Sequence, residues 1–191
     1  MTLDLPGFAD PVAQAQSTFR ALLDAMSRPG TIRAAGNNLT PPAPLDPATA
    51  AALLTLVDGD ARLHIAPDCA AARDWLIFHC GTAPCPDPAA ADFIVTTTLP
   101  DFATLSSGSD EAPESSATLV LQVAAIGHGT PWRLAGPGIK TSTTLHVTGL
   151  PADFAARWAA NHALFPRGID LVLCADSHLT AIPRTTTVSE A

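Results

Sequence analysis

The residues best suited to chemistry lie near the end of the chain, in Ile182-Pro183-Arg184-Thr185-Thr186. There an arginine and two hydroxyls follow a β-rich run, and together they have the donors to bind a phosphate or a partner's carboxylate. Arg20 and Arg28, on and just after the first predicted helix, offer the same chemistry. An internal salt bridge or hydrogen bonds to backbone is the structural alternative for each.

Other chemistries fail on spacing. Gly136-Pro-Gly-Ile-Lys140-Thr141 is the nearest approach to a phosphate loop, but Ile139 stands where glycine must precede the lysine, and a strand-like run follows. Gly127-His-Gly129-Thr-Pro-Trp132 puts tryptophan where the last glycine of a dinucleotide fingerprint belongs. His79, Cys80, Cys85 and the distant His162 match no standard zinc spacing, so no metal is expected. There is no Gly-x-Ser-x-Gly elbow, and Ser106, Ser107 and Ser109 sit in an aperiodic Ser/Gly/Asp/Glu/Pro stretch. Lys140, the only lysine, could form a Schiff base only if desolvated, and its place beside a Pro-Gly turn reads as surface.

These residues must be positioned by alternating helices and strands. Asp10-Pro11 is a helix start, and Val12, Ala15, Phe19, Leu22, Leu23 and Met26 recur at helical spacing until Pro29-Gly30 ends the run. A short β-like run, 31–34, follows. Asp46-Pro47 repeats the start signal for a helix over 48–57, and Asp68 is placed to cap another that Gly81 stops. Strands are predicted over 62–65, 93–97, 117–123, 132–135, 143–147, 168–174 and 179–182, with a helix over 151–164 that places Phe154, Ala155, Trp158 and Ala159 on one face. The pattern predicts one α/β domain over 1–191 with a mixed sheet, its last two strands forming a hairpin around Ala175-Asp176-Ser177.

Composition narrows the function. The chain has 191 residues, 47% of them hydrophobic and only 15% charged, and a surface so poor in charge is expected to be covered in part by a partner. The net charge of −8 repels free nucleic acid, though a local arginine pocket can still hold a small anion. No apolar run reaches the roughly 18 to 20 residues of a spanning helix, and Met-Thr-Leu-Asp-Leu lacks the basic start of a signal peptide. Four cysteines without a disulfide framework complete a cytoplasmic reading, with no membrane association.

An ordered set of blocks spans nearly the whole chain: 19–30 (Phe-Arg-Ala-Leu-Leu-Asp-Ala-Met-Ser-Arg-Pro-Gly), 53–58, 78–79, 105–108 (Leu-Ser-Ser-Gly), 112–114 (Ala-Pro-Glu), 117–123, 134–139, 165–171 (Phe-Pro-Arg-Gly-Ile-Asp-Leu) and 182–186 (Ile-Pro-Arg-Thr-Thr). Read together they resemble the PhnH family of the bacterial carbon-phosphorus lyase system for phosphonate breakdown, the last two blocks most specifically. The resemblance implies a three-layer α/β/α sandwich like the large domain of pyridoxal-phosphate-dependent transferases, without that cofactor or any other. It implies a homodimer in isolation and a subunit of a larger assembly with PhnG, PhnI and PhnJ.

The activity it implies belongs to the subunits together, as a transferase: an alkylphosphonate displaces adenine from ATP to give a ribose 1-alkylphosphonate 5-triphosphate. An iron-sulfur radical step would lie elsewhere, since this chain has no suitable cysteine cluster. Two roles stay open: an accessory subunit whose Arg20, Arg28, Arg184, Thr185 and Thr186 position a phosphorylated ligand or a neighbouring subunit, and a purely structural adaptor. Catalysis by the chain alone is not expected, and no residue is assigned a catalytic role.

Overall fold

The computed structural model describes residues 5–191. Helix α1 (Pro11–Ser27) begins as its sequence dictates, with the Asp10 carboxylate accepting from the Ala13 amide at 3.1 Å and proline in the first turn. After strand β1 (Arg33–Ala34), the chain forms α2 (Pro47–Leu56), β2 (Leu63–Ile65), a 3-10 turn over Pro67–Ala72 and α3 (Arg73–Cys80). Gly81, at φ 66°, ends α3 in the left-handed region. Then come β3 (Phe93–Thr96), β4 (Thr118–Gln122), β5 (Ala125–Ala135), β6 (Thr143–Thr148), α4 (Phe154–His162), β7 (Asp170–Ala175), β8 (His178–Ile182) and β9 (Thr187–Glu190).

Six strands form one mixed sheet in the order β1-β8-β7-β4-β3-β2. Strands β2, β3, β4 and β7 run parallel, while β8 returns from β7 through the Asp176-Ser177 turn and pairs antiparallel with it and with β1. Strand alternation divides the side chains between two cores. Val95, Val120, Val172 and Cys174 face α1, α2 and α3, whereas Ile94, Leu119, Leu121, Leu171 and Leu173 face the other way. On the helical side Ala48 to Leu53 of α2 are all buried, because short alanine side chains let α2 lie against the sheet with α1 and α3 packed beside it.

The opposite face is covered by more than a helix layer. A three-stranded antiparallel sheet, β6-β5-β9, covers it together with α4. Trp132 of β5 meets Phe154 of α4 edge-on, with centroids 5.3 Å apart, and Phe102 meets Trp158 at 5.9 Å. Strand β9 was not expected, and β5 is longer than its predicted 132–135. Ile126 and Thr130 both lie opposite Val147, which extrudes Gly127-His128-Gly129 as a bulge. Gly129, at φ 97°, must be glycine there, since a Cβ would fall 2.2 Å from Thr148 Oγ1. Helix α4 is also shorter than 151–164, and it buries Phe154, Trp158 and Asn161 while Ala159 is exposed.

Two predicted caps have other partners. The Asp46 carboxylate makes no bond within α2 and instead accepts from the Asp176 amide at 3.0 Å, tying α2 to the β7-β8 turn. Asp68 lies in the first turn of the 3-10 segment rather than at a helix cap and accepts from Thr96 Oγ1 at 2.8 Å and from the Thr97 amide and hydroxyl at 3.0 and 2.9 Å. Among the described residues no helix is long and apolar enough to cross a membrane.

Candidate functional site

Arg184 occupies the short connection between β8 and β9, where its guanidinium is held on every side. Nε and Nη2 donate to Asp170 Oδ1 and Oδ2 at 3.2 and 2.5 Å, Nη1 donates to the Pro113 carbonyl at 2.6 Å, and the Arg184 amide donates to Asp170 Oδ1 at 2.8 Å. Only 14% of the arginine side chain and 16% of the aspartate's are exposed. A bidentate fork of this kind needs arginine, because a lysine ammonium cannot span both carboxylate oxygens and the carbonyl in one plane.

This pair gathers sequence blocks that are far apart in the chain. The Gly168 amide donates to the Ser107 carbonyl at 2.9 Å, Arg167 pairs with Asp110 at 3.0 Å, and Arg184 reaches Pro113. The polar stretch 106–116 is thereby fastened to the starts of β4 and β7. Asn161 of α4 completes the joint, accepting from the Ile169 amide at 2.8 Å and donating to its carbonyl at 3.0 Å.

The two threonines differ in burial. Thr186 is wholly buried, its Oγ1 has no hydrogen-bond partner, and its carbonyl accepts from Trp158 Nε1 at 2.7 Å. Thr185 is half-buried, with its carbonyl against Gly136. The Arg184 carbonyl accepts from His162 Nδ1 at 2.8 Å. Arg184, Thr185 and Thr186 are thus brought together as a structural clamp, its arginine donors spent on Asp170 and the Pro113 carbonyl.

Arg20 and Arg28 lie apart from that clamp, on α1 and at its carboxyl-terminal cap. Arg28 and Arg33 share the carboxylate of Asp24, and Arg20 is exposed with no ion pair among the described residues. The remaining candidates disperse. His79 Nε2 bonds the Leu5 carbonyl at 3.2 Å, while Cys80 is buried and its thiol is pushed up to about 12 by desolvation. Cys85 donates to the Asp87 carbonyl, and Lys140 is exposed in the turn between β5 and β6. Among the described residues, no three His, Cys, Asp or Glu side chains converge in a way that could hold a metal.

Sequence reasoning missed a polar network at the carboxyl ends of the parallel strands, where open α/β sheets commonly place ligands. Gln122, the last residue of β4, accepts from the Asp46 amide at 2.7 Å and Thr49 Oγ1 at 2.9 Å, and donates to the Pro44 carbonyl at 2.7 Å. Its one signal was a glutamine inside an otherwise apolar strand. Burial raises the Asp46 carboxyl above its ordinary range, against the hydrogen bond from Asp176. Burial also pushes on Asp68, but there the bonds from Thr96 and Thr97 prevail and hold it low.

Comparison with known proteins places this architecture. The family described as bacterial phosphonate metabolism protein (PhnH) matches residues 6–189. The alpha-D-ribose 1-methylphosphonate 5-triphosphate synthase subunit PhnH of Rhizobium meliloti (strain 1021) is 43% identical over 184 residues, 94% of this chain and 92% of that protein. The putative C-P lyase subunit protein HtxG of Stutzerimonas stutzeri is 38% identical over 82 residues, 43% of this chain and 42% of that protein. A match along almost the full length, including the segments joined by Asp170 and Arg184, shows that the chain belongs to the PhnH family.

Proposed function

We propose that this chain is an accessory subunit of the carbon-phosphorus lyase core assembly in phosphonate catabolism, contributing to formation of α-D-ribose 1-methylphosphonate 5-triphosphate from ATP and methylphosphonate. The observation that carries this reading is the 43% identity to a synthase subunit over nearly the whole of both chains. In this reading residues 1–191 form one domain related to the large domain of pyridoxal-phosphate-dependent transferases, without the cofactor site. The exposed position of Lys140 supports that last point, since a Schiff-base lysine needs a desolvated amine. The chain works in the cytoplasm, forms a homodimer when alone, and joins PhnG, PhnI and PhnJ.

Its arginines divide the labour. Arg184 fixes the shape of the 106–116 and 182–186 segments, Thr185 and Thr186 complete that clamp, and Arg20 and Arg28 are available to a neighbouring subunit or a phosphorylated ligand. A second reading, an adaptor with no ligand of its own, is favoured by the engagement of Arg184 with Asp170 and Pro113. Growth on methylphosphonate as sole phosphorus source tests the first reading: expression of this chain restores growth to a strain lacking its own copy of the gene, and failure to do so contradicts it. Titration of the isolated protein with ATP and methylphosphonate separates the two, saturable binding supporting a ligand-positioning subunit and none supporting the adaptor.

A further inference from the structure

Helix α1 carries an apolar stripe that none of the described residues covers. Val12, Phe19 and Leu23 are 81%, 50% and 58% exposed, and their spacing of seven and four residues aligns them along one side of the helix, over about 16 Å. The same periodicity that buries Leu22 and Ala25 against α2 and the sheet leaves these three outside. Beside the stripe lies a groove of about 360 Å³ bounded by α1, α2, α3 and the segment before α1, lined by Phe8, Pro11, Ala15, Leu54 and His79.

The border of this surface is basic in an acidic protein. Asp24 is the only carboxylate on α1, and it is already shared by Arg28 and Arg33. Arg20, one residue past Phe19, has no ion-pair partner among the described residues. Three guanidinium groups therefore stand against two carboxylates on and beside α1, Asp24 and the capping Asp10, whereas the whole chain has a net charge of −8. A second copy of the chain is a poor occupant: two α1 helices packed antiparallel about Phe19 would set each Arg20 against the other. The surface instead complements a partner with an apolar ridge bordered by Asp or Glu.

Resting on the accessory-subunit reading, we propose that the α1 stripe and its groove are the docking face for a companion subunit, which lays an amphipathic helix with a carboxylate-flanked apolar stripe along Val12, Phe19 and Leu23 and pairs with Arg20. This is the helix-in-groove mode of recognition. The hydrophobic residues supply affinity, and the arginine fixes orientation and makes binding sensitive to salt.

The test is co-expression of the tagged full chain with PhnG, PhnI and PhnJ from the same organism, with the retained subunits quantified. Wild type retains them in fixed stoichiometry. Phe19→Asp and Leu23→Asp each reduce retention at least tenfold with an unchanged circular dichroism spectrum and melting temperature. Arg20→Glu reduces it several-fold at low salt and less at high salt, while Phe165→Asp, at an exposed residue beyond α4, retains the subunits like wild type. Retention of the subunits by both Phe19→Asp and Leu23→Asp overturns the proposal, as does conversion of a homodimer to monomers by these variants with companion binding intact. If wild type itself retains nothing, the accessory-subunit reading is what fails.

Discussion

Arg184 and Arg20 carry the same guanidinium and the same capacity to bind an anion, yet the fold uses them in opposite ways. Arg184 follows a buried strand and turns inward, where Asp170 and the Pro113 carbonyl take its donors. Arg20 lies on the outer side of an amphipathic helix, beside apolar residues left uncovered. The difference shows that a guanidinium in a distinctive motif is evidence of a demanding position, not of a ligand. At residue 184 the demand comes from within the chain; at residue 20 the described residues make none.

The comparison can be broken most decisively at Arg184. Arg184→Met leaves Asp170 without its counter-charge and frees the Pro113 segment, at a cost of about 3 kcal/mol, near the lower bound for a broken buried pair because some exposure remains. Scanning calorimetry is expected to show the melting temperature falling by roughly 6 to 12 °C. Arg184→Lys restores little of it, and Asp170→Asn combined with Arg184→Met costs less than the two single changes summed. Equal stability for Arg184→Met and wild type would mean that the arginine is free for a ligand after all.

A smaller effect sharpens the same joint. Trp158→Phe keeps the aromatic packing and removes the donor to the Thr186 carbonyl, costing about 1 to 2 kcal/mol in urea unfolding. Thr186→Val, by contrast, deletes a buried hydroxyl that has no partner and is expected to be neutral or stabilising by up to about 1 kcal/mol. A marked loss in that variant would reveal a partner for the hydroxyl.

Acid titration compares the other two carboxylates. Asp68 has a folded pKa below its unfolded value, so its contribution is fully present above about pH 3.9 and is lost as pH falls through the lower, folded value. Asp46 is raised by burial and has the opposite sign: its ionised form is penalised in the folded state, and the penalty disappears as pH falls. Melting temperatures of Asp68→Asn and wild type should therefore converge in acid, whereas wild type should gain relative to Asp46→Asn on the way down. At the smallest end, Phe19→Asp should change folding stability by no more than about 0.5 kcal/mol, since the side chain it replaces is already half in water.

Features encoded by neighbours in the chain were legible in the sequence. The Asp10-Pro11 start of α1, the apolar run that becomes β4, and the Asp176-Ser177 hairpin are each specified within a few residues. Contacts made across the chain were not. Asp46 and Asp68 both have the look of helix caps, and each instead accepts from a loop brought near by the sheet. Strand β9 buries only Val188, too little for a periodic signal, and it exists because β5 offers a free edge. The candidate site divided along the same line. The motif around Arg184 stood out, but its partner Asp170, 14 residues earlier, could be assigned only once β7 and β8 were paired.

The central claim, that an internal arginine clamp builds the subunit and an arginine-bordered surface joins it to the proposed companions, is tested most directly by measuring Arg184→Met and Phe19→Asp side by side for melting temperature and for retention of PhnG, PhnI and PhnJ. The account predicts a crossed result: Arg184→Met melts early but retains the companions while folded, and Phe19→Asp melts like wild type and loses them. A folded Arg184→Met that fails to retain them, together with a Phe19→Asp that does, would contradict it.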